Sequence, residues 1–425
     1  MSLYFYKILL YIIQPIILLK LLLRSRLVPD YRKRLKERYG FYNKKNISSS
    51  IILHAVSVGE TLTAIPLVKA LRKYYPYLSI TITTMTPTGS ERVKHILGND
   101  VYHVYLPYDL PCSINRFLKK INPKLVIIME TELWPNLIYE LHKRNIPLII
   151  INARLSERSS KKYKIINTFI KKVLHRITLI VAQNKEDGMR FIKLGLHPSK
   201  LNIIGNLKFN ITITQKLSLN IISLRYKWKQ NRPIWIAAST HHGEENILLT
   251  AQRQLLKKYP NLLLILVPRH QERFIIVKKL VHKYGFNYIL RSDNKAPNNN
   301  TQIIIGDTIG ELMLLYGISD IAFIGGSLVK NGGHNPLEAA IHTIPILMGP
   351  YTFNFKDICK TLLQNKGLIT ITNVNSLINK IDILLTNKNY RDYYGRHAFK
   401  VLQKNKRVLQ QLLTILQPYL PTRGN

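Results

Sequence analysis

Cysteine is nearly absent from the 425-residue sequence: only Cys112 and Cys359 occur, far apart and with no His or Cys at metal-ligand spacing. That excludes a disulfide framework and a sequence-local zinc site, and it suits a reducing compartment. Acidic residues are scarce too, 23 against 63 Lys and Arg, for a formal net charge of +40. Part of this excess is solvated surface, because Ile, Lys, Asn and Tyr are all abundant in the way that AT-rich codons would produce. The remainder exceeds what solubility requires and calls for an anionic partner: nucleic acid, anionic lipid or a phosphorylated substrate. No low-complexity tract, no G-x-x-x-x-G-K-[ST] sequence, no RNP-type aromatic signature and no aspartate cluster for a divalent ion is present. A P-loop triphosphatase is thereby unsupported. No small-residue cleavage site follows the apolar N-terminus, as a secretory signal would need.

What is there begins at that N-terminus. Leu3 to Leu23 is almost wholly apolar, broken by Lys7, Gln14, Pro15 and Lys20. A spanning helix needs about 20 apolar residues. The uncharged part is shorter, although lysines can snorkel to the interfaces, so spanning the bilayer and lying in its surface both stay open. Arg24, Arg26, Arg32, Lys33, Arg34, Lys36, Arg38, Lys44 and Lys45 follow, against Asp30 and Glu37. By the positive-inside rule everything downstream faces the cytoplasm. The same cluster would attract anionic lipid at roughly 1 kcal/mol per basic residue. The plain alternative is a buried apolar helix followed by a solvated basic one.

From residue 51 onward, short β-branched runs alternate with longer amphipathic segments, the pattern of parallel sheets with helical crossovers. The first series of predicted strands is 51–56, 79–84, 101–106, 125–129, 148–151, 179–182 and 201–204. Residues 211–232 have weaker periodicity and end in a polar stretch, which reads as an interdomain connection. The second series is 234–238, 262–267, 288–290, 303–305, 321–324 and 344–347, with a last helix over about 390–416. Ligands of such sheets bind just past the carboxyl ends of the strands, so the chemistry is sought in those loops.

After the first strand, Gly59 permits close backbone approach and Glu60 stands at a helix start. Ser57 and Glu60 have capping-box spacing, so Glu60 is open between a helix cap and a general base. The fourth strand ends in Glu130-Thr131-Glu132-Leu133-Trp134-Pro135-Asn136, two carboxylates and an indole at a strand terminus. It is open between a site and a plain helix start at Pro135. Asn152-Ala153-Arg154-Leu155-Ser156 and Gly205-Asn206-Leu207-Lys208-Phe209 place cations and amides past two further strands. Lys208 would neutralise an anionic donor or simply be solvated. In the second half, His241-His242-Gly243-Glu244 opens a helix; adjacent histidines do not share a helix face, which speaks against metal ligation. Arg269, after Pro268, has the fork to grip phosphate. Thr308 and Glu311 repeat the capping-box spacing, around Ile309 and Gly310. Behind a glycine loop, Asn335 can cap, Pro336 fits the first helical position and Glu338 the third, after Leu337; that start could seat a phosphate, or Glu338 could accept from ribose hydroxyls.

Taken together, the segments 54–60, 130–136, 152–156, 205–209 and 333–338 resemble the 3-deoxy-D-manno-octulosonic acid (Kdo) transferases of lipopolysaccharide synthesis, over nearly the whole chain. The resemblance implies an α/β GT-B fold, two Rossmann-like domains with parallel sheets facing a central cleft, plus an N-terminal membrane-anchor helix. It divides the chain into an anchor (1–23), a basic membrane-proximal segment (24–45), an acceptor-binding domain (46–210), a connection (211–232) and a CMP-sugar-binding domain with the terminal helix (233–425). It implies a CMP-Kdo donor, a lipid A precursor (lipid IVA) as acceptor, and inversion at the anomeric carbon without metal or other cofactor. Glu60 would be the proton acceptor, and Glu130 and Lys208 transition-state stabilisers. Pro268, Arg269, Ile309, Gly310, Glu311, Asn335, Pro336, Leu337 and Glu338 would hold CMP. The expected location is the bacterial inner membrane, catalytic domains on the cytoplasmic side, against an anionic membrane surface and without nucleic acid. Two rivals are a GT-B transferase using a UDP-sugar and a lipid acceptor, and a basic nucleic-acid-binding protein. The latter would explain the charge but not the anchor.

Overall fold

A computed structural model describes residues 2–27, 29–42, 50–209, 211–229, 232–404 and 407–422. Lys44, Lys45, Gln230, Asn231 and the boundaries drawn at 45–46 and 210 lie outside the described residues. The chain forms two compact units, Met1–Asn210 with Arg407–Asn425, and Ile211–Lys406.

The first unit is built on β1 (Ile51–His54), β2 (Ile80–Thr84), β3 (Tyr102–Tyr105), β4 (Leu125–Met129), β5 (Leu148–Ala153), β6 (Leu179–Ala182) and β7 (Leu201–Ile203). All pair in parallel, in the order β3-β2-β1-β4-β5-β6-β7. The interior strands are buried on both faces, which is why they read as continuous apolar runs rather than alternating ones. The alternation survives in which core each residue joins. Ile52, Val126, Ile128 and Ile150 pack with Phe117, Phe169 and Phe191; Ile51, Leu53, Ile127 and Ile149 pack with Leu67 and Leu71 on the other side.

Residues 407–422 complete that second layer. Val408, Leu412, Leu416 and Leu420 are buried in it, on and just beyond the helix Val408–Leu416. The sequence reading draws this helix with the second half while letting the 390–416 segment pack across both; residues 407–422 group with the first unit, because an apolar period marks a buried face without telling which core it covers.

The second unit repeats the plan with β8 (Ile234–Thr240), β9 (Leu263–Pro268), β10 (Tyr288–Leu290), β11 (Ile303–Ile305), β12 (Ile321–Ile324), β13 (Ile346–Met348) and β14 (Ile369–Thr370), in the order β10-β11-β9-β8-β12-β13-β14, again parallel. Most of the stretch read as a connection is the helix Gln215–Lys229. It packs on the helix Leu312–Ile318 at Gly317, where an added Cβ would stand 2.5 Å from Ile221.

In the first sheet the order reverses between β1 and β4, and in the second between β8 and β12, where β11 is in addition inserted between β9 and β10. In open parallel sheets such a reversal beyond the carboxyl ends of the strands is where ligands bind.

The N-terminal helix, Leu3–Leu27, is long and apolar enough to cross a membrane. Leu3, Tyr6, Lys7, Leu10, Gln14, Ile17 and Leu21 are half-buried, while Tyr4, Phe5, Ile8, Ile12, Ile16, Leu19 and Leu23 are exposed. The half-buried positions recur at three and four residues, one face of a helix. Tyr6 donates to Asp109 at 3.0 Å and its ring meets Phe169 at 5.7 Å, and Tyr11 donates to Cys112 at 3.4 Å. Beyond the helix, Arg34 donates to the His103 carbonyl at 3.1 Å and Arg38 to that of Met85 at 3.1 Å. The first turns of the helix and the segment that follows it are thus tied to the same globular unit.

Candidate active site

In the first unit the candidate groups gather where the strand order reverses. Glu60 follows β1 and Glu130 follows β4, and these two strands are hydrogen-bonded neighbours. The helix Val58–Tyr74 begins at Ser57, whose hydroxyl accepts the Glu60 N–H at 3.3 Å. The Glu60 carboxylate accepts from the Val56 N–H at 2.7 Å and the Ser57 hydroxyl at 2.9 Å. It therefore serves as a cap, one residue further back than a standard capping box. Burial pushes its pKa up; the Ser57 and Val56 hydrogen bonds oppose this, Glu130 adds to it and Lys208 opposes it.

Glu130 has a φ of 59°, left-handed backbone that a non-glycine residue rarely adopts. The cost is about 1–2 kcal/mol. It is held there by its N–H, which donates to the Ile151 carbonyl at 2.9 Å, and the turn aims its carboxylate at Lys208, with Nζ 3.5 Å from Oε1. Lys208 is placed by a chain of amides. The Lys208 N–H donates to Asn206 Oδ1 at 2.9 Å, Asn206 Nδ2 to Gln183 Oε1 at 2.9 Å, and Gln183 Nε2 to the Asn152 carbonyl at 2.9 Å. Asn152 is itself left-handed, φ 51°, and its Oδ1 accepts the Leu207 N–H at 2.9 Å. The Arg154 N–H donates to Thr131 Oγ1 at 3.2 Å, which joins the loops after β4 and β5.

Glu132 completes the group. Burial first, then the charges of Glu60 and Glu130, raise its pKa to about 7. Three carboxylates and one lysine thus share this end of the sheet. On the same side His54, at the end of β1, is buried, bonds Thr83 Oγ1 through Nδ1 at 2.8 Å, and meets the Trp134 ring edge-on at 6.3 Å.

In the second unit, Pro268 ends β9 and Arg269 follows it, while Asn335–Glu338 lie in the loop beyond β12. Arg269 opposes the burial that raises the Glu338 pKa, so these two expected segments face one another. The helix after Asn335 is only Leu337–Ala340; Asn335 Oδ1 accepts the Leu337 N–H at 3.1 Å, and Asn335 Nδ2 donates to Glu338 at 3.3 Å. Four residues give this start little dipole with which to hold a phosphate. Ile309, Gly310 and Glu311 follow β11, two strands from β8. The capping box expected of Thr308 and Glu311 is not formed, because the helix begins at Leu312. Glu311 instead accepts from Thr308 Oγ1 and, at 2.8 Å, from Arg291.

Two features here were not expected. Buried Glu244 accepts four backbone N–H groups, from His241 (3.0 Å), Gly326 (2.7 Å), Ser327 (3.1 Å) and Leu328 (3.0 Å), and so fixes the glycine loop across the β8–β12 reversal. His241 and His334 join through their Nε2 atoms at 2.8 Å. His241 is adjacent in sequence to His242, yet its ring partner lies 93 residues away. Among the described residues no three His, Cys, Asp or Glu side chains are grouped to hold a metal ion.

Residues 33–211 match the family model described as 3-deoxy-D-manno-octulosonic-acid transferase (kdotransferase), and residues 231–401 that of glycosyl transferases group 1. The chain is 52% identical over 420 residues to a 3-deoxy-D-manno-octulosonic acid transferase of Haemophilus influenzae, covering 98% of each. The chain belongs to the 3-deoxy-D-manno-octulosonic acid transferase family. It is an enzyme, a glycosyltransferase. The family's member in Rickettsia bellii is 31% identical over 422 residues, covering 98% of this chain and 99% of that one. A solved glycosyltransferase of Rickettsia africae superposes with a TM-score of 0.56 at 16% identity, covering 90% of this chain and all of that one, and so shares the fold. The two parallel seven-stranded sheets are those of a GT-B-like enzyme.

Proposed function

We infer that this transferase moves Kdo from CMP-Kdo to lipid A precursor, lipid IVA, in lipopolysaccharide core biosynthesis. The observation that carries the reading is the Glu60–Glu130–Lys208 group at the β1–β4 reversal, in a chain of this family. Glu60 is the general base: it removes the proton of an acceptor sugar hydroxyl as that oxygen bonds to the anomeric carbon, and the bond from that carbon to the CMP phosphate oxygen breaks with its electron pair leaving on CMP. Attack opposite the leaving group inverts the centre. A sugar hydroxyl is a poor nucleophile until a positioned base takes its proton, an effect of roughly 10²- to 10⁴-fold. A carboxylate whose pKa burial has raised holds that proton better than an ordinary one. Lys208, steered by Glu130, offsets negative charge where it develops. Arg269 and the backbone around Asn335–Glu338 hold CMP in the second unit.

The same reading places the chain at the cytoplasmic face of the bacterial inner membrane. The N-terminal helix lies in the lipid interface rather than across the bilayer. Its first turns and the segment after it are tied to the first unit, and its outer stripe of Tyr4, Phe5, Ile8, Ile12, Ile16 and Leu19 is left for lipid. The basic residues that follow suit an anionic headgroup layer.

The deciding experiment incubates purified enzyme with CMP-Kdo and tetraacylated lipid A precursor and weighs the lipid products, with CMP and UDP as competing inhibitors. A mass increase by whole Kdo units, inhibited by CMP, is the expected result. Inhibition by UDP but not CMP overturns the donor assignment.

A further inference from the structure

Three imidazoles converge beyond the carboxyl ends of the second sheet: His241 after β8, His270 after β9 and His334 after β12. His241 and His334 lie with parallel rings, centroids 5.0 Å apart, joined by the 2.8 Å Nε2 contact; the His270 ring stands edge-on to His241 at 5.5 Å. Gly326 makes the pair possible. Its φ is +68°, and a Cβ there would stand 3.3 Å from the His334 ring and 3.4 Å from that of His241.

A short contact between two ring nitrogens is a hydrogen bond only if one carries a proton and the other does not. The pair therefore holds one shared proton when neutral. It can accept one more without breaking, because an imidazolium donates as well as an imidazole, but not two.

The charges around it are unbalanced. Arg269 and Arg273 are the cations whose charge reaches His241, and Arg269 and His270 also act on His334. The nearby carboxylates are committed elsewhere: Glu244 to four backbone N–H groups, Glu245 to Arg273 at 3.0 Å, and Glu338 to Asn335. Burial, then these cationic neighbours, lowers the pKa of both histidines, that of His334 to about 3. In the ligand-free chain at neutral pH the His241–His334 pair is thus uncharged and partly buried beside a guanidinium, with the nearby carboxylates already engaged.

We propose that the His241–His334 pair, with His270 and Arg269 beside it, seats the anionic group of the donor nucleotide and takes up one proton as that nucleotide binds. The proposal rests on the second unit being the nucleotide-holding one. A phosphate entering the cage supplies the missing negative charge, so the favoured state of the pair changes from neutral to singly protonated: the added proton sits on the outer Nδ1 of the donating ring and the Nε2–Nε2 hydrogen bond is kept. When the nucleotide leaves, the proton leaves with the charge that held it.

The test is titration calorimetry with CMP in buffers of different ionisation enthalpy, at pH 8, where the free phosphate is fully ionised. The slope of binding enthalpy against buffer enthalpy counts protons. About one proton taken up per CMP is expected, with affinity falling about tenfold per pH unit across that range. In His334→Gln and in His241→Gln, the uptake should vanish while weaker binding remains. Binding without uptake in the wild type overturns the proposal. So does uptake that persists in both variants, which would place the proton on the phosphate. Failure of CMP to bind at all would instead overturn the nucleotide reading of the second unit.

Discussion

Lys208 stands 3.5 Å from Glu130, which is held in a left-handed turn so that its carboxylate faces that lysine. Lys208 is the cation whose charge reaches Glu60 and opposes the carboxylate crowding there. Lys208→Gln should lower kcat by about 10²- to 10³-fold, the typical cost of losing one donor at a developing charge. KM for the lipid acceptor should change far less. Steady-state kinetics on both substrates checks this split.

Glu60 is at once a cap and the proposed base, and two substitutions separate the roles. Glu60→Gln keeps an oxygen for the Val56 N–H and so should melt close to the parent while losing at least 100-fold in turnover, about the low end of a general-base effect. Glu60→Ala should lose turnover and also about 1 kcal/mol of stability, the usual cost of a missing cap. Near-normal turnover in Glu60→Gln would leave Glu60 only its structural role.

The pKa of Glu132 is raised from 4.5 to about 7, with a definite sign for stability. Between those values the folded chain keeps a proton that the unfolded chain has released, so stability falls as pH rises through that window. Glu132→Gln removes this titration. The variant should gain on the parent from about pH 5 upward and level off above pH 7, as read by urea melts at half-unit steps. Part of the decline will persist, because burial raises Asp109 to about 7 as well.

Tyr6 ties the N-terminal helix to that buried Asp109, whose other partners are the Asn136 and Leu137 N–H groups at 2.9 and 2.8 Å. Tyr6→Phe removes one hydrogen bond to a carboxylate, worth about 1–2 kcal/mol. The first turns of the helix should exchange amide hydrogens faster, with little change around β1–β4. Hydrogen exchange measured in detergent micelles reads both regions.

Gly326→Ala should cost about 1–2 kcal/mol for its left-handed backbone and should also part the two histidine rings. CMP affinity should fall at least tenfold, and Gly285→Ala, whose backbone is also left-handed at φ +72° and where an added Cβ meets nothing within 4 Å, serves as the control for backbone strain alone.

Much of this arrangement is legible in the sequence, and the reason is burial. Strands covered on both faces must be apolar at every position, so β1, β4, β8 and β9 stand out as runs such as Leu125–Met129. The fold class follows, because such runs alternate with amphipathic helices, and two parallel seven-stranded sheets are what the chain forms. β14 escapes because it is only Ile369–Thr370 and pairs on one side, too short for any period. Glu60, Glu130 and Lys208 are visible as polar residues past strand ends, but their convergence depends on which strands are neighbours, and spacing along the chain does not carry that. Glu244 and the His241–His334 bond are hidden for the same reason: each spans more than 80 residues. Left-handed Glu130 is harder still, since its neighbours, rather than its own residue type, impose the turn.

The N-terminal helix has a consequence for how such an enzyme meets a lipid. In the proposed interfacial placement, a helix fastened to the first unit by Tyr6 near its start and by Arg34 in the segment after it would keep that unit from swinging away on a tether. That placement would carry it at one height above the bilayer, searching in two dimensions. What then governs saturation is the number of acceptor molecules per area of membrane. Diluting the acceptor with inert lipid at constant total amount should slow the reaction, whereas diluting the whole suspension with buffer should leave the rate per enzyme nearly unchanged.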